Sequence, residues 1–343
     1  AALALLLRTL REAHGGLSVR FVRAALRSLG ELPKLRTHFF PGHCEVASRL
    51  AERLGFPASF VIGVGQLYAR WDGQGVPALR ADAISIATQV VAVAQDSVLF
   101  LRGGGLSAVH AMLAERRGRA HAPRFSDLMV QQAPAVLAGL DRNLPWEAVL
   151  EAEPGTPVRL SEWQFDAACE AMGDYADLRS PHHLGHARRV ARLAEAAATA
   201  LGWPVDQVAR VRRAAWLHDL GRTGVPASVG AHPGPLTERE REQIRLHPYY
   251  TERILTRSPM LADLGRLAAL HHERLDSSGY AKGLPAIALD RAVRLLAVAD
   301  RYCVLGEPRD HRAALDGDAA AEAVRRDAAE GRLDHGLVEA VLG

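Results

Sequence analysis

Apolar residues recur at three- and four-residue intervals along nearly the whole chain, as in VRFVRAALRSL, CEVASRLAERL, ARRVARLAEAAATAL and RAVRLLAVADRYCVL, while strand-type alternation is scarce. This periodicity gives successive helices one apolar face each, so an all-α fold is predicted. The opening AALALLLRTLREAHGG reads as an amphipathic helix; it has neither an initiator methionine nor a leader cleavage site, and the chain is expected to be part of a longer protein. The clearest interruption is LPWEAVLEAEPGTPVRL, where Pro145, Pro154, Gly155 and Pro157 cluster. A boundary near residue 155 separates expected domains of residues 1–150 and 157–343, and 343 residues are enough to fill two cores.

Composition removes several function classes. A net charge of +3 with 24% charged residues leaves no electrostatic footprint for nucleic acid. The run ERRGRAHAPR, with Arg116, Arg117 and Arg119, reads as a solvated helix end. The longest apolar stretch, residues 83–101, is broken by Gln89, Gln95 and Asp96, short of the roughly 18 uninterrupted apolar residues that a membrane span needs. No membrane partner is therefore expected. Cys44, Cys169 and Cys303 are too scattered for a disulfide framework or a thiolate metal site, which favours a reducing cytoplasm and other metal ligands.

The chain also resembles itself. ARWDGQGVP at 69–77 matches ERLDSSGYA at 273–281 with an offset of 204, pairing Asp72 with Asp276 and Gly75 with Gly279. The same offset pairs His43 with His247, and a one-residue slip sets AVAQ (92–95) beneath AVAD (297–300). Leu67 and Tyr68 then stand where the second copy has His271 and His272, and Gln95 where it has Asp300. The first half is thus read as a degenerate partial copy of the second that has lost its ligands.

In the second half, five separated places offer metal-ligand side chains: His186, His218 with Asp219, His247, His271 with His272, and Asp300. Taken singly, each has an ordinary structural explanation, as a packed core histidine or a helix cap. Together, neutral imidazoles and carboxylates suit Zn, Mn or Fe, and two such ions need about this many ligands. Helix signals surround them. Ser180 as N-cap and Pro181 as first residue would set His182 and His186 four apart on one helix face. His218 and Asp219 end a helix begun at Pro204, Thr237 and Glu240 form a capping box ahead of His247, and Pro248 bends the chain.

The segments LHDLGRTGVP, PLTEREREQIRLHPYYTERIL, HHERLDSSGYAKGL and LLAVADRYCVL follow one another in the order and at about the spacing of HD-GYP domains. Residues 175–342 therefore resemble that family of HD-superfamily phosphohydrolases. The resemblance implies an HD-superfamily helical bundle, with His186, His218, Asp219, His247, His271, His272 and Asp300 as ligands of two divalent ions and Asp219 shared between them. It implies hydrolysis of a phosphodiester in a cyclic dinucleotide, cyclic di-GMP foremost, to the linear dinucleotide pGpG or to GMP. Other readings are a phosphohydrolase of another nucleotide, or a module that binds such a ligand without cutting it.

Asp219 and Arg222 carry the expected catalytic roles. Arg222, Asp276, Tyr280 and Arg312 would meet the substrate, and Glu273 and Arg274 would support the ligands. Three departures from the family pattern stand out. Arg222 replaces the usual lysine, which restricts it to binding phosphate because arginine keeps its proton. The naming triplet reads Gly279, Tyr280, Ala281, and the lost proline is expected to relax the loop. His182 stands where some members carry a glutamate that helps hold a third metal, and is read as an aromatic filler. A homodimer and further domains outside the sequence are left open.

Overall fold

The computed structural model describes residues 39–140, 146–153, 159–226, 228–229, 234–308 and 312–343. The helices expected at 1–16 and 19–29, and the proline-rich boundary at 154–157, lie outside the described residues. The chain divides into two compact units, Ala1–Val158 and Arg159–Gly343. Both are built from helices, and among the described residues the only β-type pairings are isolated bridges such as Tyr68 with Val76.

The first unit contains α1 (Phe40–Arg53), α2 (Ala58–Gly65), α3 (Ile86–Arg116), α4 (Pro123–Val136) and α5 (Trp146–Glu151). Its core joins Val93, Val109, Met112 and Leu113 of α3 to Ala133 of α4 and to Leu137. By length and composition alone α3 is long and apolar enough to cross a membrane, which the interrupted apolar pattern did not suggest. Gly104 and Gly105 break its helical geometry, Gly105 at a φ of 69° that favours glycine. Its Asp96 is ion-paired with Arg116 and accepts a 2.7 Å bond from His121 Nε2, so the charge is answered within the unit.

The second unit contains α6 (Glu162–Asp177), α7 (His186–Ala200), α8 (Val205–Leu217), α9 (Glu238–Arg245), α10 (His247–Leu255), α11 (Ala262–Ala268), α12 (Arg291–Leu305), α13 (Gly317–Ala329) and α14 (His335–Leu342). At its centre α12 buries Val293, Leu295, Leu296 and Val298. Against it pack α7, through Val190, Ala191 and Ala194, and α8, through Val211, Ala214 and Leu217. Alanines on the facing sides let these helices approach closely. Each fully buried leucine contributes about 1.5–3 kcal/mol of apolar burial, and this rigid core carries the histidine-bearing helix ends.

The expected caps are largely present. Thr237 and Glu240 form a reciprocal capping box on α9, and α10 begins at His247 with Pro248 in its first turn. One expectation fails: His182 and His186 do not share a helix. Residues Pro181–His183 form a separate 3-10 turn, Gly185 takes φ 74°, and α7 starts only at His186. A non-helical glycine resets the chain direction between the two histidines.

The same devices recur in both units at the offsets found in the sequence. Asp72 Oδ1 accepts the Gln74 amide at 3.0 Å, and Asp276 Oδ1 accepts the Ser278 amide at 2.9 Å. A Cβ at Gly75 would lie 2.4 Å from both the Tyr68 carbonyl and the Arg70 amide nitrogen; at Gly279 it would lie 2.5 Å from the His272 carbonyl and 2.6 Å from the Arg274 amide. Short 3-10 turns follow at Ala81–Ala83 and Ala286–Ala288. Ser85 then caps α3 through the Thr88 amide, as Asp290 caps α12 through the Val293 amide.

Candidate metal centre

Three of the histidines are presented by one local device. His218 follows α8 and donates Nδ1–H to the Ala215 carbonyl at 2.7 Å; His247 does the same to Ile244, and His271 to Ala268, each at 2.7 Å. In every case the acceptor lies three residues earlier, at the frayed end of a helix where carbonyls lack helical partners. The bond fixes the tautomer and turns Nε2 inward as a lone pair. His186 reaches the same state by another route, with its Nδ1 bonded to Glu307 Oε1 at 2.9 Å.

These lone pairs converge. His186 Nε2 lies 3.2 Å from His218 Nε2, and His247 Nε2 lies 3.2 Å from His271 Nε2, with all four rings buried. Asp219 stands between the two pairs. Its Oδ1 is 3.1 Å from His247 and 3.8 Å from His271, while its Oδ2 is 3.7 Å from His218 and 4.0 Å from His186. Asp300 Oδ1 approaches His186 at 3.3 Å and His218 at 3.7 Å, and its Oδ2 approaches His272 at 3.8 Å. Three groups of ligand atoms are close enough to hold a cation: His247, His271 and His272; His186, His218 and Asp300; and His218, Asp219 and His271.

The donor set fits divalent metal. Two facing imidazole lone pairs repel unless a cation lies between them, and Asp219 Oδ1 and His272 Nε2 are buried without a hydrogen-bond partner. The electrostatics agree at two of the rings: burial pushes His271 down to about 3 and lowers His218, the direction a ligand needs. At His186 burial works the same way, but the bonds to Asp300 and Glu307 outweigh it and raise the ring to about 9, so a metal there would displace a proton. Burial also works against ionisation of Asp219 and Asp300, yet Arg222 and the imidazoles hold the first carboxyl well below its usual range, and the imidazoles, led by His186, hold the second there.

Close approach of backbone locks the ligand-bearing segments together. A Cβ at Gly221, two residues past Asp219, would lie 2.0 Å from the His247 carbonyl. Thr251 Oγ1 bridges the same contact, accepting from the Gly221 amide at 2.8 Å and donating to the His218 carbonyl at 3.0 Å. Glu273 and Arg274 brace the loop that follows the histidine pair. The Glu273 carboxylate accepts the amides of Lys282, Gly283 and Leu284, and Arg274 donates to the carbonyls of His271 and Glu273.

A cavity of about 580 Å³ opens beside the centre, with Arg222, His272, Tyr280, Arg301 and Arg312 in its wall. Arg222 is anchored to Asp219 Oδ2 through Nε at 2.5 Å, and Tyr280 stacks on His272 with centroids 4.4 Å apart. His182 lines the cavity as well and belongs to none of the three ligand groups.

Two residues expected at the substrate have main-chain partners of their own. Asp276 is exposed, is not in the cavity wall, and uses Oδ1 to close its own turn. Arg312 reaches the wall but donates to the carbonyls of Leu305, Val304 and Glu307, capping the end of α12. The Gly279–Ala281 loop is also not simply relaxed: Ala281 takes φ 99°, which proline, locked near −65°, cannot adopt. Glu307 went unremarked in the sequence because it lies 121 residues from His186 and no local spacing joins them.

Residues 170–337 match the HD domain family, and the curated relatives that match the chain include cyclic dinucleotide phosphodiesterases. This half of the chain belongs to the HD-GYP family of HD domains. The chain is 29% identical over 281 residues to the 3'3'-cGAMP-specific phosphodiesterase 3 of Vibrio cholerae, which covers 81% of this chain and 61% of that one. It is 38% identical over 134 residues to the cyclic di-GMP phosphodiesterase response regulator RpfG of Xanthomonas campestris, covering 38% of this chain and 35% of that one. It thus spans about three fifths or less of the length of these relatives. A crystal structure of a cyclic GMP-AMP specific phosphodiesterase of V. cholerae shares the fold over 99% of this chain and 81% of its own, with a TM-score of 0.61 at 24% identity.

Proposed function

We propose that the second unit is a metal-dependent phosphodiesterase acting on a cyclic dinucleotide. The observation that carries this is the pair of imidazole clusters on either side of Asp219, opening onto a cavity whose wall includes Arg222. His186, His218 and Asp300 would hold one divalent ion, and His247, His271 and His272 a second, with Asp219 serving both. Bound there, Fe, Mn or Zn supplies Lewis acidity toward a phosphoryl oxygen and acidifies water for attack.

The chain's own groups do the rest. Arg222, fixed by Asp219 through one donor, presents its remaining N–H groups to a non-bridging phosphate oxygen. Tyr280, stacked on His272 and lying under Arg245, shapes the rim of the cavity it lines. Arg312 contributes positive charge there while its bonds hold the end of α12.

Cyclic di-GMP, opened to pGpG or cut to GMP, is the substrate assigned first, by family resemblance. A second substrate, 3'3'-cGAMP, is favoured by the name of the V. cholerae relative that aligns over most of the chain. Both are cyclic dinucleotides and make the same demand on the metal centre. Assaying the two side by side, with wild type and Asp219→Ala, tests the reading. Turnover of one or both by wild type alone is expected; equal turnover by the two proteins, or none by metal-loaded wild type, rejects it.

For residues 1–150 we propose a non-catalytic partial copy of the second unit. Tyr68, in the place of His272, donates or accepts a 2.8 Å bond with His43 Nδ1, so the remaining histidine is satisfied without a cation. Bound metal per chain should therefore fall in Asp219→Ala and stay unchanged in His43→Ala.

A further inference from the structure

Glu307 is a buried carboxylate outside the set of proposed ligands. One of its oxygens, Oε1, receives His186 Nδ1 at 2.9 Å and also Arg189 Nε at 3.1 Å and Nη2 at 2.6 Å. An ionised carboxylate only accepts, so the proton of a neutral His186 must sit on Nδ1, leaving Nε2 bare toward His218 and Asp300. His218, His247 and His271 obtain this tautomer from main-chain carbonyls three residues earlier. His186 follows not a helix end but a 3-10 turn and Gly185 at φ 74°, and the long-range carboxylate takes the place of that device.

The turn bearing Glu307 is itself held. Arg312 donates to the Glu307 carbonyl at 3.1 Å and to those of Val304 and Leu305, the last residues of α12, which also carries Asp300. Arg189, one turn along α7 from His186, fixes the carboxylate from the other side.

We infer that Glu307 is a positioning residue for the metal centre: held by Arg189 and by the Arg312-capped turn, it sets the tautomer and ring orientation of His186. The inference rests on the metal-centre reading above. It also gives Arg312 a function that needs no contact with substrate. A carboxylate on the far nitrogen raises the basicity of a ligating imidazole, and removing such a partner costs about 10–100-fold in metal affinity.

The test is equilibrium binding of Mn²⁺ to the full chain, read by competition with a chelator, for wild type, Glu307→Gln, Glu307→Leu and His186→Ala, with folding followed by circular dichroism. Glu307→Gln keeps the shape and a neutral acceptor and should bind severalfold more weakly; Glu307→Leu should lose about 10–100-fold. That graded order separates positioning from a general loss of packing, because Gln partly rescues what Leu removes. Folded Glu307→Leu with wild-type affinity overturns the inference. Should Leu prevent folding, Glu307→Gln decides, and wild-type affinity in it overturns the inference equally. Absence of Mn²⁺ binding by wild type would instead overturn the metal-centre reading, and His186→Ala sets the scale for loss of the ligand itself.

Discussion

His247 and His271 face each other Nε2 to Nε2 at 3.2 Å, and each has already given its Nδ1 proton to a carbonyl three residues back. Neither ring can donate to the other without giving up that bond. The folded chain thus holds two lone pairs in contact and is stabilised by whatever cation separates them. Adding Mn²⁺ or Zn²⁺ should raise Tm and a chelator should lower it, with about 2.7 kcal/mol gained when free metal reaches 100 times its Kd. Thermal melts across a metal titration measure this. His271→Ala should flatten the response, and a wild-type Tm indifferent to metal would contradict it.

A second prediction concerns Gly221. The three-residue step from Asp219 to Arg222 runs so close to α10 that any Cβ at Gly221 would overlap the His247 carbonyl and the Thr251 amide. Both neighbours are backbone and cannot turn aside. Gly221→Ala should destabilise the second unit by about 1–3 kcal/mol, the usual range for overpacking. It should also separate Asp219 from His247, weakening metal binding, whereas Gly336→Ala, whose Cβ would meet only Asp334 Oδ1 at an ordinary 3.6 Å, should not affect binding. Urea denaturation and metal content of both variants check this; equal metal affinity in Gly221→Ala and wild type would refute the coupling.

Arg222 holds Asp219 Oδ2 through Nε and lines the cavity. In the proposed function the rest of its planar fork binds phosphate, a second task that a lysine cannot combine with the first. Arg222→Lys keeps the charge but has one ammonium for both tasks. Metal content should stay near wild type, while kcat/KM for the cyclic dinucleotide falls about 10–100-fold, the equivalent of one charge-assisted bond of about 1.5–3 kcal/mol. Steady-state kinetics with metal analysis would show it, and unchanged kcat/KM would mean that the fork does not meet phosphate.

The order of histidines and aspartates in the sequence made the candidate centre legible, because each ligand sits at a helix end whose capping or proline signal is local. Thr237, Glu240 and Pro248 are such signals. The matching loops at Gly75 and Gly279 were legible for a similar reason: both glycines are required by backbone contacts within a few residues. What escaped is non-local or conformational. Gly185 looked compatible with a helix until its φ of 74° broke it. Arg312 lines the cavity, but its bonds to three main-chain carbonyls have no sequence signature. Glu307 meets His186 only after α12 has packed against α7.

Asp177, the last residue of α6 and itself outside the proposed ligand set, supplies a pH prediction. It is buried; its Oδ2 accepts the Ala187 amide at 3.1 Å, and its Oδ1 has no hydrogen-bond partner. Burial pushes this carboxyl up to about 7, only partly opposed by the Ala187 bond and by His186. The native protein thus keeps a proton that the unfolded chain releases near its ordinary value of 3.8. With the native value raised, the contribution to stability is complete below about 4 and is lost as pH rises through 7, at up to about 1.4 kcal/mol per pH unit. Asn imitates the protonated form at every pH. Asp177→Asn should therefore gain on the order of 1–2 kcal/mol over wild type between pH 5 and pH 8, in urea denaturation with chelator present. Parallel pH profiles for the two proteins would show that Asp177 ionises in the folded state as freely as in the unfolded chain.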